Sequence, residues 1–199
     1  MGLAQVQGFL AELYTEAGLR TRFLVAPETV AGEYGLSSEE TQQIRQLSAE
    51  QVAFFAGSLQ RKRLNGVAGL LPLSRRALGE SFAELFMEFA DTFVPCGTSK
   101  HRQDARAFAE FVERMAKGRQ IGSPWVLDLM RYEAAVLAAT DVSSHCVIRW
   151  FQEPVNRLVR RSAEVAPPLP GASQPTLAIW WRISPSSRLR HITLSLPRL

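Results

Sequence analysis

Cysteine and histidine are scarce in this chain of 199 residues, with two of the former and three of the latter. Cys96 and Cys146 lie far apart, without the close pairs that zinc knuckles and redox motifs require, so they read as ordinary reduced thiols. His101 stands beside Lys100 and Arg102 at a helix start, and His145 and His191 fall on strand-like segments with no ligand-spaced acid or thiol around them. No nucleophilic triad or metal motif follows from these positions. Glycine loops of Rossmann or P-loop spacing are missing as well, GLLPLSRRALG included. The acidic pair Glu39-Glu40 sits where helix capping and dipole compensation explain it. No apolar run reaches the roughly 18 residues of a membrane span. The N-terminus MGLAQVQGFLAELYTEAG carries Gln and Glu where a signal peptide needs a basic start and an apolar core. These absences point to a cytoplasmic protein, away from membranes, with no catalytic residues, metal or cofactor of its own.

What the chain does have is apolar content, 46% of residues, enough to bury a proper core. Its formal net charge is +4, and the basic residues gather late. From Arg149 onward eight arginines (149, 157, 160, 161, 182, 188, 190 and 198) face only Glu153 and Glu164. Such a tail prefers an acidic partner, and guanidinium suits bidentate contacts to carboxylate or phosphate.

Helical periodicity governs the first two thirds. Val6, Phe9, Leu10, Leu13 and Tyr14 line one side of a helix that Gly18 would end, and Pro27 opens a short helix closed by Gly35. Ser37 with Glu40, and Ser48 with Gln51, read as capping boxes, which predicts a break near Leu47. Val52, Phe55, Leu59 and, further along, Leu64 then share a face until Pro72 interrupts, and Ser74 restarts a helix carrying Leu78, Phe82, Leu85, Phe86 and Phe89. PCGTSK, 95–100, is a loop; Ala105, Phe108, Phe111, Val112 and Met115 resume the pattern. Ser123 caps and Pro124 begins a helix from Trp125 to Ala139 that is apolar around most of its girth and should be central.

After about Asp141 the period changes. HCVIRWF and LAIWWRI are short, rich in β-branched and aromatic residues, and bounded by Pro, Ser and Gly. Leu177, Ile179, Trp181 and Ile183 alternate with Ala178, Trp180 and Arg182; after Ser184-Pro185-Ser186-Ser187, Ile192, Leu194 and Leu196 alternate again, which is a hairpin signal. The Pro-rich run Ala166–Pro175 would connect it to the strand around Val147–Phe151. The expected fold is therefore α+β, mainly α: a helical bundle over 1–141, then a small antiparallel β-region over 142–199. Three of the four tryptophans stand in that region, and Arg149, Trp150, Trp180, Trp181, Arg182, Arg188 and Arg190 are the candidate binding residues. Tryptophan and arginine dominate binding hot spots, and an edge strand can accept a peptide as an added strand. The tryptophans equally suit sealing a sheet against helices. Trp180 and Trp181 point to opposite faces, so one of them leaves the core side.

The block from Val52 to Phe89, with LQRKR and LLPLSRRALGESFAELFMEF, and the later LDLMRYEAAVLAA resemble a family of small helical proteins. These are partner subunits of multinuclear iron-dependent oxidative enzymes that modify ribosomally made peptides. The resemblance covers roughly residues 5 to 140 and rests most on Lys62, Arg63, Leu71, Pro72, Gly79, Phe82, Phe86 and Arg131-Tyr132-Glu133, with a looser extension to the closing WWR. The chain is most similar to the thiaglutamate-type partner, with the methanobactin-type partner as a relative. The resemblance implies that residues 1–141 dock on the iron enzyme as a heterodimer while 142–199 captures the leader of a precursor peptide. Iron and catalytic ligands then belong to the other subunit, and the chain is no enzyme itself. No family signature marks the leader-binding positions, so the tryptophan and arginine assignments stand on this sequence alone.

Two other readings stay open. A nucleic-acid-binding accessory protein would use Arg61, Lys62 and Arg63, but consecutive residues spread around a helix instead of forming a stripe. A pure scaffold for the enzyme would need no peptide contact.

Overall fold

A computed structural model describes residues 2–95, 99–119, 121–141, 143–160 and 174–195. Cys96, Arg161, Arg198, Leu196 and the Ala166–Ser173 part of the Pro-rich run lie outside the described residues. Among the described residues there are ten helices and one three-stranded antiparallel sheet, so the chain is mainly α with a small β-region near its C-terminal end. It divides into two compact units, Met1–Leu64 with Ala90–Val94 and Asn65–Phe89 with Pro95–Leu199.

In the first unit, α1 (Leu3–Thr15), α2 (Ala17–Val25), α3 (Pro27–Glu33), α4 (Ser38–Arg45) and the start of α5 (Ala49–Leu70) surround Phe9. Phe9 meets Phe23 at 5.2 Å and Tyr34 at 5.0 Å, both edge-on, and Leu13, Leu19, Val30, Ile44 and Val52 complete the core. Burying one such phenylalanine stabilises by about 2–3 kcal/mol, whereas an exposed ion pair such as Arg22–Glu33 contributes only about 0–1 kcal/mol. Packing therefore holds this unit. Both capping boxes form: Glu40 N–H donates to Ser37 Oγ at 3.2 Å while Ser37 N–H donates to Glu40 Oε2 at 2.8 Å. Ser48 and Gln51 repeat the arrangement at 2.9 and 3.2 Å.

The helix expected to end at Gly18 instead stops at Thr15, because Glu16 is extended (φ −106°, ψ 113°), and α2 follows with Gly18 in its first turn. Only Leu19 and Phe23 of α2 are buried, while Leu24 and Val25 lie exposed. That single pair, four residues apart, is too weak a period to stand out in the sequence. On α5 the expected face is corrected too: Val52 is buried, but Phe55 and Leu59 are 48% and 39% exposed.

The second unit holds the end of α5, α6 (Pro72–Leu78), α7 (Ser81–Ala90), α8 (Lys100–Ala116), α9 (Pro124–Ala139), β1 (Cys146–Phe151), α10 (Val155–Arg160), β2 (Thr176–Trp181) and β3 (Arg190–Ser195). The helix expected from Ser74 through Phe89 is two helices. Pro72, not Ser74, opens the first, and Gly79 closes it at φ +59°, ψ −129°, a conformation that a side chain would strain. Phe82, Phe86 and Phe89 then pack edge-on or tilted against Phe108 at 5.1, 5.3 and 5.6 Å. Where α5 meets α8, a Cβ on Gly66 would run into the His101 imidazole, so glycine permits the approach.

α9 is central, as its composition predicts: every residue from Trp125 to Ala139 is buried or half-buried. Ser123 stands at its N-cap position and Pro124 at its first turn, although the Ser123 hydroxyl makes no capping bond. Two buried acids of this helix tie down other segments. Leu71, apolar, precedes α6 and cannot cap it; Glu133 instead accepts from Leu73 N–H and Ser74 N–H, each at 2.8 Å, and from Ser74 Oγ at 2.5 Å. Burial pushes the Glu133 carboxyl above its usual range, against the pull of these three bonds. Asp128 Oδ2 accepts from Gln152 N–H at 2.7 Å and Glu153 N–H at 2.9 Å, where the chain leaves β1 for α10, a helix the sequence did not suggest. Arg131 binds Asp128 Oδ1 and Glu113 Oε1, at 3.0 and 2.8 Å.

The sheet has the order β1-β2-β3. Its inner residues Val147, Phe151, Ala178 and Trp180 share a core with Ala135 and Ala139 of α9. Tyr132 wedges between them, 5.5 Å from Trp180 and 6.2 Å from Phe151. The hairpin turn falls where expected, with Ser187 N–H donating to Ser184 O at 2.9 Å.

Glu133→Ala leaves two amides and a hydroxyl without their acceptor, so urea denaturation should show a loss of about 2–3 kcal/mol. Glu133→Gln keeps one acceptor oxygen and should lose clearly less. Equal losses in the two variants would mean that the side chain packs and does not cap.

Candidate functional site

Alternation and register together assign each strand residue a face. Ile148, Ile179 and Ile192 are cross-strand partners, as are Trp150, Leu177 and Leu194, and these two rows lie on the side of the sheet away from α9. Ile148 and Trp150 are 53% and 54% exposed, Ile192 and Leu194 42% and 44%. A third row, Cys146, Trp181 and Arg190, sets a guanidinium beside the half-buried Trp181. Scattered apolar residues at a surface mean little, but rows that cross three strands form one contiguous patch. β3 is an edge strand in which five of six residues are exposed.

The candidate residues divide accordingly. Trp150, Trp181 and Arg190 share the outer face, with exposed Arg188 in the hairpin that leads to it. Trp180 lies on the inner face, 2% exposed. Arg182 is half-buried, and its guanidinium donates to the carbonyls of Ala139 and Thr140 at 3.4 Å. Arg102 joins it at Leu137 O, at 2.8 Å, so two cations close the C-terminus of α9, where its dipole is negative. Arg149 lies on β1 and donates to the neighbouring Ile148 carbonyl at 2.9 Å. The sequence reading missed Ile148, Leu177, Ile179, Ile192 and Leu194 as surface residues. Both parities of LAIWWRI are apolar, so alternation alone does not say which one faces the helices.

At the edge strand β1, Arg149 and Trp150, which belong to opposite faces of the sheet, also border a cleft of about 290 Å³ with α8 and α9. Ala134, Ala135 and Ala138 of α9 and Ala109 of α8 leave its floor open, and Arg106, Glu110, Glu113 and Arg131 stand around it. In the first unit the run Arg61-Lys62-Arg63 diverges: Arg61 donates to Ser58 Oγ at 3.1 Å, and Arg63 donates to the carbonyls of Ala90 and Phe93 at 3.4 and 2.7 Å. Cys146 is a free, exposed thiol. Among the described residues no group of three or more His, Cys, Asp or Glu is arranged to hold a metal ion, and no helix is long and apolar enough to cross a membrane.

These features define a mainly helical protein whose small closing sheet has one face packed on α9 and the other, among the described residues, uncovered. A family model described as SCO6045-like, C-terminal domain, matches residues 45–114, from the last residue of α4 into α8. That description names no activity, and the matched stretch stops short of the sheet. No curated protein matches the chain.

His191 stacks on Trp180 at 4.6 Å with an 11° angle between the rings, and partial burial lowers its pKa from the usual 6.5. A depressed pKa means that the folded chain binds fewer protons than the unfolded one near pH 6. The stability from this contact is thus complete above pH ~6.5 and lost as pH falls through the lowered value. Tryptophan emission should change with a midpoint below 6.5 as the stacked imidazole gains charge, and His191→Phe should lack that transition. A midpoint above 6.5 would contradict the burial of the ring.

Proposed function

We propose that this chain is a non-catalytic partner subunit that binds the leader of a ribosomal precursor peptide and presents its core to a multinuclear iron-dependent oxidative enzyme. The observation that carries the reading is the apolar outer face of the sheet, uncovered among the described residues and bordered by the edge strand β3 and by Arg188 and Arg190. An extended peptide laid along β3 continues the hydrogen-bond ladder and sets alternate side chains beside Ile192 and Leu194, while acidic residues meet the arginines. Backbone pairing is tolerant of sequence; the arginines supply register. Because the inner face is pinned to α9, the sheet is ordered before the peptide arrives, which reduces the entropy lost on binding. The complex then accelerates modification by holding the core peptide near the enzyme. In this reading the iron and its ligands belong to the enzyme, the helices of this chain dock on it as a heterodimer, and the complex works in the cytoplasm. The resemblance in the Val52–Phe89 block and in Arg131-Tyr132-Glu133 supports the choice of partner.

The test is fluorescence titration of the chain, co-purified with its iron enzyme, against the acidic leader, with duplex DNA as the control ligand. Ile192→Asp with Leu194→Asp should weaken leader affinity by about tenfold or more without changing the unfolding midpoint or the co-purification. These substitutions are preferable to deleting the tail, because removal of β2 and β3 also strips Trp180 from the core beside α9. Unaltered leader affinity in the double variant, or tighter binding of DNA than of leader, sinks the proposal.

A further inference from the structure

We infer that the sheet adds one strand, antiparallel and on β3 alone, and selects a peptide whose alternate residues run in the order apolar-x-apolar-x-acidic. The inference rests on the peptide-binding reading above and specifies the ligand which that reading leaves open. The phase of the hydrogen-bond ladder fixes it. In antiparallel pairs, opposed residues alternate between those that exchange backbone hydrogen bonds and those that do not. Arg182 N–H donates to His145 O at 2.9 Å, and one step beyond the Cys146–Trp181 pair the register sets these two residues opposite each other. Counting on from that bonded pair by twos, Val147, Arg149 and Phe151 bond to Trp180, Ala178 and Thr176, so Leu177, Ile179 and Trp181 turn their backbone groups toward β3. Their partners there are Leu194, Ile192 and Arg190. The backbone groups left on the open edge of β3 are therefore those of His191, Thr193 and Ser195.

That phase separates holding from reading. A peptide bonds to His191, Thr193 and Ser195, and its intervening residues stand opposite Arg190, Ile192 and Leu194 in unbonded pairs, the closer kind, with Cα atoms about 4.5 Å apart. Their side chains fall on the outer face and extend its rows. Leu194 ends the row of Trp150 and Leu177, Ile192 the row of Ile148 and Ile179, and Arg190 the row of Cys146 and Trp181. Two of these rows suit an apolar residue and the third a carboxylate. Both ladders already present are antiparallel, and such pairs are the more stable per residue, so the peptide runs from Leu194 back to Arg190. β1, the other edge, is less suited on two counts. By the same phase its open-edge groups belong to Cys146, Ile148 and Trp150, and the Ile148 carbonyl already accepts from the Arg149 guanidinium at 2.9 Å. None of those three residues, which hold the outer positions of β1, is a cation, so a carboxylate finds no partner in that row order.

The experiment uses the full chain, amide NMR resolved by residue, and the peptide acetyl-Thr-Ile-Thr-Ile-Thr-Glu-amide. Before any peptide is added, the amides of Ile192 and Leu194 should exchange about tenfold or more slowly than those of Thr193 and Ser195, and equal rates would overturn the phase. Saturating peptide should slow His191, Thr193 and Ser195 most and leave the amides of β1 unshifted. The reversed order, acetyl-Glu-Thr-Ile-Thr-Ile-Thr-amide, should bind about threefold or more weakly. N-methylation of the middle threonine, opposite Thr193, should weaken binding about tenfold or more, whereas N-methylation of the second isoleucine, whose amide turns away from β3, should change it by less than about twofold. Arg190→Glu should weaken binding about tenfold and recover it when the peptide's glutamate is replaced by lysine. Shifts centred on β1, equal binding of the two orders, equal loss from the two N-methyl peptides, or no recovery in the charge swap overturns the assignment. If this peptide binds β3 and the leader does not bind the chain, the leader reading falls and the edge selectivity stands; if the leader binds and this peptide does not, the edge selectivity alone falls.

Discussion

Asp128 carries the constraint on which the second unit depends. It is 1% exposed, and its two oxygens receive the amides of Gln152 and Glu153 together with the guanidinium of Arg131. A buried carboxylate without partners would be strongly destabilising, so the chain leaving β1 can lie in only one place relative to α9. Glu133, five positions on, does the same for the start of α6, whose own N-cap residue is an apolar leucine. A helix that is apolar around most of its girth thus organises its neighbours through its two acids.

The bare face of the sheet follows from that anchoring. With β1 fixed at its end and Trp180, Phe151 and Ala178 packed toward α9, the isoleucine row and the Trp150 row must face outward. No helix among the described residues covers them. The inner face already packs on α9 and cannot be surrendered to a ligand, which leaves the outer face and the two edge strands, β1 and β3. Arg182, closing the C-terminus of α9, adds to the same anchoring from the hairpin side.

Much of this was legible in the residues. The two capping boxes, the central helix from Trp125, the shift to strands after Asp141 and the serine-rich turn all follow from local rules that tertiary packing did not override. α2 escaped because only Leu19 and Phe23 mark its inner side. The break at Gly79 escaped because Leu78 and Phe82 keep helical spacing across it. On the outer face, the sequence reading named Trp150, Trp181 and Arg190 as candidates but not their apolar neighbours, since both parities of β2 are apolar. Arg106 was invisible, because nothing local says that a polar residue of α8 will stand across a cleft from β1. Arg131-Tyr132-Glu133 looks like one motif, yet its members reach Asp128 and Glu113, the aromatic core beneath the sheet, and α6 respectively.

Hydrogen–deuterium exchange on the complex with the proposed iron enzyme, with and without a saturating amount of the proposed leader peptide, tests most directly whether the β3 edge and outer face receive the peptide. Amides of Arg190–Ser195 should slow about tenfold or more when the leader is present, with the anchored junction at Gln152 and Glu153 already slow in both states. Protection confined to the helices, with β3 exchanging at the same rate in both samples, would contradict peptide capture by the sheet.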